Sequence, residues 1–204
     1  REAEQIEQTV SAVLSRFGKV DILINNAGAL WWRPVIETPL KRFDLVMQVN
    51  ARAAFLMSQA VLPSMIENQW GHIVNMSPPI DLSAVSGFVA YFISKYGMTL
   101  LSLGLAEEVR AHNIGVNSLW PVTAIDTAAV RNYGVGTPEQ WRKPAIVADA
   151  TLELVCKPPL EITGKALLDE EILRSVGVTD FAEYAVVPGT HPAPIGWVKG
   201  GLRS

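Results

Sequence analysis

Apolar residues recur at helical spacing over the first 17 residues and are followed by a short, unbroken apolar run. Ile6, Val10 and Val13 share one face of a helix predicted over residues 2–17, and Gly18 is a natural C-terminal cap. Residues 20–24 scarcely alternate between apolar and polar, which is typical of a strand covered on both faces of a parallel sheet. A buried strand is therefore predicted directly after the first helix.

The same two patterns alternate as far as residue 170. Thr38 is a capping residue and Pro39 suits the first helical position, so a helix is predicted to run through Asn50 and Leu56, with Pro63 kinking or ending it. Apolar runs predict further strands, and helical spacing predicts further helices: strands at 71–76, 114–119 and 165–168, helices at 90–111 and 146–156. This α/β order predicts a parallel doubly wound, Rossmann-like sheet.

Two stretches lack a clear period. Residues 122–143 contain Gly134, Gly136 and Pro138, which predict an irregular or short-helical lid. Beyond residue 170, prolines and glycines predict a tail. We therefore expect one domain over residues 1–170 and a C-terminal extension over 171–204.

Composition narrows the class of protein. The chain has 204 residues, 49% of them hydrophobic, and a net charge of −3 without a block of like charges, which argues against nucleic acid as the main partner. Neither an apolar run of membrane-span length nor the order of a signal peptide is evident, so we expect a cytoplasmic protein. The single cysteine, Cys156, has an apolar helical setting that suggests a core or near-core thiol.

Candidate functional residues follow the predicted strands. Asn25, Ala27 and Gly28 come after the first strand, and Ser77 comes after the second. A doubly wound sheet binds its ligand beyond the carboxyl ends of its strands, so these positions are expected at a binding site. Taken singly, each also has a purely structural interpretation: the asparagine and glycine motif forms a turn, and Ser77 is part of a loop.

Tyr91 and Lys95 lie four residues apart near the start of a predicted helix. Their Cβ atoms are therefore expected about 5–6 Å apart, which places a cation beside a phenol. Bringing the pKa of a tyrosine from about 10 toward 7 needs about 4 kcal/mol, and an adjacent ammonium in a partly dry cleft is the kind of environment that supplies it. The alternative is an ordinary helix-start aromatic residue followed by a solvated charge.

The order and spacing of Asn-Asn-Ala-Gly, Asn50, Ser77, the Tyr91-Phe-Ile-Ser-Lys95 motif and a proline after the third strand resemble the short-chain dehydrogenase/reductase family. The resemblance implies an oxidoreductase that interconverts a carbonyl and an alcohol with NAD or NADP. It implies that Tyr91 is the general acid or base, that Lys95 lowers its pKa and holds the nicotinamide ribose, that Ser77 orients the substrate oxygen and that Asn50 anchors a water. No metal is expected.

The same resemblance implies the cofactor contacts. Asn25, Ala27 and Gly28 would lie along the cofactor, and Ile125 and Thr127 match the positions that bind the nicotinamide carboxamide. The usual Pro-Gly before them is Pro121-Val122 here, with an apparent extra residue.

The stretches 77–79, 95–98, 106–108 and 119–129 resemble the hydroxysteroid dehydrogenase-like subgroup more narrowly. A small hydrophobic carbonyl or alcohol is the expected substrate. Trp31, Trp32 and Trp141 are candidates to line its pocket, and core packing or a subunit contact is the alternative role for each of them. The resemblance also suggests a homo-oligomer formed through the helices beginning near Thr38 and Ala90.

The family's glycine-rich phosphate-binding turn, which lies in the first third of the domain, has no counterpart in the sequence. Two interpretations remain open: part of an active oxidoreductase, or a non-catalytic interaction module that has lost cofactor binding. Under either, we expect the 204-residue chain made alone to bind NAD(H) or NADP(H) poorly.

Overall fold

Helices and strands alternate in the computed structural model, which describes residues 2–196. The α-helices are α1 (Ala3–Phe17), α2 (Leu40–Val46), α3 (Ala53–Glu67), α4 (Val89–Glu108), α5 (Ala128–Tyr133), α6 (Ala145–Val155) and α7 (Asp169–Ser175). The strands are β1 (Ile22–Asn25), β2 (Gly71–Met76), β3 (Ile114–Trp120), β4 (Ala124–Ile125), β5 (Trp141–Arg142) and β6 (Ala166–Leu168). A π-helical segment, Met47–Arg52, joins α2 to α3.

The main sheet is parallel and has the strand order β1-β2-β3-β6. Its register places Leu23 beside Ile73 and Ile73 beside Val116. These are the four strands that the apolar runs predict, and the α/β doubly wound fold class is confirmed. The carboxyl ends of the strands meet along one edge, where the functional residues are expected.

Helices cover both faces of the sheet, so the strands need apolar side chains on both sides. Ile73 packs on one face with Val10 from α1, Met65 from α3 and Leu105 from α4. The next residue, Val74, packs on the other face with side chains of α6 and α7. This two-sided burial explains why the strand sequences do not alternate.

Strand β1 is less covered than the other strands. Ile22 and Ile24 are 40% and 44% exposed. Within residues 2–196, β2 is the strand that pairs with β1, so one edge of the sheet is open there.

Three details of the predicted helices differ from the structure. Pro39, not Thr38, precedes the first turn of α2, because the Thr38 hydroxyl instead donates to the Pro34 carbonyl at 2.9 Å. Pro63 does not end its helix, which continues to Glu67. Cys156 is exposed rather than near the core, because it follows the last residue of α6 as its cap.

The prediction of a tail beyond residue 170 is wrong over the residues that the structure describes. The predicted boundary falls inside α7, and Ile172, Leu173 and Tyr184 are buried in the core against α6. Short elements separated by turns leave too few residues for a helical period to show in the sequence. The remaining part of the predicted tail, 197–204, lies outside the described residues.

The predicted lid between residues 122 and 143 is more regular than expected. It contains α5 and two short parallel strands, β4 and β5. β5 is held on its other side by Ala185, which forms an antiparallel bridge with Arg142. The segment is thus a small folded unit fastened to the C-terminal part of the chain.

Two helical stretches, Leu40–Glu67 and Val89–Glu108, are apolar and long enough to span a membrane by length and composition. In this fold α3 contacts β1 and β2, and α4 contacts β2 and β3. Core helices of a globular domain meet the same compositional test, so these stretches are weak evidence for a span.

Candidate active site

Asn50 lies in the π-helical segment and is fully buried. Its side-chain oxygen accepts from the Ala29 amide at 2.7 Å, and its Nδ2 donates to the Ala29 carbonyl at 3.0 Å and to the Ser94 hydroxyl at 2.8 Å. Ser94 in turn donates to the Tyr91 carbonyl at 2.7 Å. Asn50 therefore clamps the loop after β1 to α4, and its role as a water anchor stays a prediction.

Gly28 lies where that loop passes Asn50 and Lys95. A Cβ atom on residue 28 would lie 3.4 Å from the Asn50 Oδ1 and 3.5 Å from the Lys95 Nζ. Glycine therefore keeps open the space directly beside the ammonium group.

Lys95 is a buried cation, only 4% exposed. Its Nζ donates to the Met76 carbonyl at 2.7 Å and lies 5.3 Å from the centre of the Trp120 ring. Among residues 2–196 it has no ion-pair partner, so a carbonyl and an indole face hold its charge. Burial lowers the pKa of Lys95 to about 8.

Tyr91 lies one helical turn before Lys95 and is 3% exposed. The rings of Trp32 and Phe92 pack against it edge-on, with centroids at 5.9 Å and 5.6 Å. Burial raises the pKa of the Tyr91 hydroxyl, whereas the sequence led us to expect a lowered one. The reason is that aromatic rings remove water from the phenol while the Lys95 ammonium donates to Met76 instead.

Ser77 directly follows β2 and is fully buried. Its hydroxyl has no hydrogen-bond partner within the described part of the chain. Leaving a buried hydroxyl unpaired costs about 1–3 kcal/mol, so Ser77 is suited to accept or donate a hydrogen bond to a bound molecule.

An open cleft of about 830 Å³ lies at the carboxyl ends of the strands. Tyr91 and Lys95 line it together with Gly28, Ile125 and Thr127. Ser77 is not among the lining residues, although its neighbour Met76 is. The structure thus brings five of the predicted site residues to one cleft and places Asn50 behind Gly28.

Asn25 and Ala27 do not line the cleft. The Asn25 side chain donates to the Asn75 Oδ1 at 2.8 Å and so joins β1 to β2, and Ala27 is exposed. Asn26 lines the cleft instead.

Sequence reasoning missed Trp120, which lines the cleft and faces Lys95, and Ser94, which links Asn50 to Tyr91. The position of Trp120 at a strand end, just before a proline, was a usable signal for a cleft residue. The motif between Tyr91 and Lys95 contains Ser94, but its spacing carries no sign of this link. Across residues 2–196, no group of three or more His, Cys, Asp or Glu side chains is placed to hold a metal ion.

Comparisons with known proteins identify similar chains. The chain is 45% identical to hydroxysteroid dehydrogenase-like protein 2 of Rattus norvegicus over 195 residues, which cover 94% of the chain and 37% of that protein. Such curated relatives are longer proteins, of which the chain spans about two-fifths.

Solved structures are also similar. A putative dehydrogenase from Xanthomonas campestris has a TM-score of 0.91 and 37% identity, with 97% of this chain and 73% of that chain covered. A metagenomic short-chain oxidoreductase in complex with NADP has a TM-score of 0.68 and 28% identity, with 82% and 69% covered. A family model described as short chain dehydrogenase matches residues 1–135. The chain belongs to the short-chain dehydrogenase/reductase family.

Proposed function

We propose that this chain carries the catalytic groups of an NAD- or NADP-dependent oxidoreductase that interconverts an alcohol and a carbonyl. The observation that carries the proposal is a buried phenol and a buried ammonium, Tyr91 and Lys95, on one turn of α4 and lining the same cleft. Family membership supports the reaction class, and a relative that binds NADP supports the type of cofactor.

The residues around the cleft fit the nicotinamide and ribose part of such a cofactor. Gly28 leaves room beside the Lys95 ammonium, which would bind the ribose hydroxyls, and Ile125 and Thr127 line the same cleft for the carboxamide. The bound cofactor would supply or accept the hydride. Over residues 2–196 no glycine-rich turn links a strand to a helix, so we assign no residue to the pyrophosphate.

Tyr91 would exchange the proton at the reacting oxygen. At neutral pH the phenol is protonated, as an ordinary tyrosine is, and the raised pKa of Tyr91 does not change this; the protonated form is the one needed to donate a proton to a carbonyl oxygen during reduction. The unpaired Ser77 hydroxyl, next to the cleft-lining Met76, would hold that oxygen once it is reached from the cleft, and Asn50 would keep the loop after β1 in place through Ala29.

An apolar carbonyl or alcohol is the substrate class that we propose. The Trp32 ring packs against Tyr91, and Phe88 and Tyr133 pack against Trp32 with centroids 5.7 Å and 5.1 Å away. Trp31 instead donates to the Thr38 hydroxyl. Of the three tryptophans expected at the pocket, Trp32 is therefore the one that we place beside the substrate, in addition to Trp120, which lines the cleft.

We also propose that the chain self-associates through α3 and α4. A groove of about 430 Å³ lies between α3 and α4 and extends along the π-helical segment; Met47, Phe55 and Leu101 line it, and Phe55 and Leu100 are more than half exposed. Ala54 on α3 and Leu105 on α4 are buried in the fold itself and do not belong to this surface. The apolar groove is sufficient to support the proposal without them.

The test of catalysis uses Tyr91→Phe in the whole protein that carries this chain. We expect turnover to fall by roughly 10²–10⁴-fold while cofactor affinity stays nearly unchanged, because only the hydroxyl acts on the reacting oxygen. Lys95→Ala is expected to weaken both. Tyr96→Phe is the matched control, since Tyr96 lies on the same helix and bonds to the Asp81 backbone. Near-normal turnover of Tyr91→Phe with the best substrate would refute the proposed role.

A further inference from the structure

A buried carboxylate outside the catalytic residues holds the loop that follows β3. Asp169, the first residue of α7, is fully buried, and its Oδ1 accepts from the Val122 amide at 2.9 Å and from the Glu170 amide at 2.8 Å. The Val122 carbonyl in turn accepts from the Ile195 amide at 2.9 Å. Both backbone polar groups of Val122 are therefore held by the C-terminal part of the chain, next to Pro121, which lines the cleft.

Arg142 attaches the other end of this loop, near Asp126, to the start of α7. This residue is buried on β5, and its guanidinium donates to the Glu170 carboxylate at 2.6 Å. Its carbonyl accepts from the Asp126 amide at 2.8 Å, between the cleft residues Ile125 and Thr127. Residues 121–127 are thus attached at two points to the start of α7.

The network leaves two buried polar atoms without a hydrogen bond. The second carboxylate oxygen of Asp169 and the Nε of Arg142 are both buried without a hydrogen-bond partner among residues 2–196. Unpaired buried charged atoms are destabilising, and an apolar core at this position would avoid them. Their presence beside the cleft loop points to a role in the site.

We propose that Asp169 is a positioning residue that fixes residues 121–127 at the nicotinamide end of the cleft, an inference that rests on the proposed function. The charged groups that face Asp169 are Arg142 from β5 and Glu170 from α7, and Arg174 faces Glu170. Burial raises the pKa of Asp169 to about 6. As the pH falls through 6, the carboxylate gains a proton and becomes a weaker acceptor for Val122, so the loop is held less firmly.

The test compares two ligands in the whole protein that carries this chain. NAD⁺ and ADP-ribose are titrated by calorimetry at pH 7.5 and pH 5.5, or NADP⁺ and 2′-phospho-ADP-ribose if the protein prefers NADP. The ratio of the two affinities isolates the nicotinamide end, because both ligands of a pair carry the same phosphates. We expect this ratio to fall about fivefold at the lower pH in the wild type.

Asp169→Asn is expected to have the lowered ratio already at pH 7.5 and no further change with pH. Glu171→Gln is the control, because Glu171 lies on the same helix but is exposed. A wild-type ratio that does not change with pH overturns the inference without need of any variant, as does a wild-type profile in a folded Asp169→Asn protein. Absence of binding of either ligand at both pH values overturns the proposed function, and the inference with it.

Discussion

Replacing Lys95 by methionine is expected to stabilise the fold, because the Lys95 ammonium is a positive charge buried away from water. Burial lowers its pKa from the ordinary 10.5 to about 8. The difference of about 2.5 pH units corresponds to about 3 kcal/mol of destabilisation whenever the folded protein carries the proton. Methionine fills a similar volume without charge but loses the hydrogen bond to the Met76 carbonyl, which contributes on the order of 1 kcal/mol. The expected net gain at pH 7 is about 2 kcal/mol.

The pH dependence of this gain identifies its cause. Between pH 8 and 10.5 the unfolded chain binds the Lys95 proton more tightly than the folded protein does, so the free energy of unfolding of the wild type rises with pH in that window. The full penalty is present below pH 8 and is lost as the pH approaches 10.5. At pH 9.5 the advantage of Lys95→Met should have shrunk by about 2 kcal/mol.

Urea unfolding of the two proteins at pH 7 and pH 9.5 measures both quantities. Lys19→Met is the control, because the Lys19 side chain is half exposed and pairs with Asp21 at the surface, where little change is expected. The reasoning is refuted if Lys95→Met is less stable than the wild type at pH 7, or if the difference between them is the same at both pH values.

Two further predictions concern packing and assembly. Gly115→Ala should destabilise the fold by several kcal/mol, because the added Cβ would overlap the Pro159 backbone. Gly104→Ala, which lies in open space on α4, should instead stabilise the fold by about 1 kcal/mol. Thermal melts that rank the two variants the other way would contradict this prediction. Phe55→Asp should shift the protein toward monomer in light scattering at micromolar concentration, since it places a charge in the groove between α3 and α4; a wild type that is already monomeric would contradict the proposed assembly.

The main sheet was predictable because its central strands, β2 and β3, are buried on both faces, and because β1 and β6 also lie in short apolar runs. The residues after α6 were not, since the buried residues Ile172 and Tyr184 lie in short elements whose burial depends on the partner, α6. The sequence likewise does not show which of Asn25 and Asn26 faces the cleft. Adjacent residues in a strand point to opposite sides, and which of the two faces the cleft depends on where β1 ends.

The sequence was sufficient to predict the Tyr91 and Lys95 pair at the site, but not the direction of the Tyr91 pKa shift. Helical spacing identified Tyr91 and Lys95 as neighbours, and both line the cleft. The direction of the Tyr91 pKa shift depends on the surrounding Trp32 and Phe92 rings and on the bond from Lys95 to Met76, contacts between residues far apart in the sequence. Spacing along one helix contains no information about them.

The π-helical turn around Asn50 makes this site sensitive to the number of residues in the chain. A π-helical turn accommodates one residue more than an α-helix does between the same ends, so deleting one residue from Met47–Arg52 would allow regular α-helical hydrogen bonding. A deletion that precedes Asn50 would rotate Asn50 by about 100° about the helix axis relative to α2, away from Ala29, while α2 and α3 could keep their packing. A related chain that is one residue shorter at this point is therefore expected to keep the fold but to lose the arrangement of Asn50 at the site.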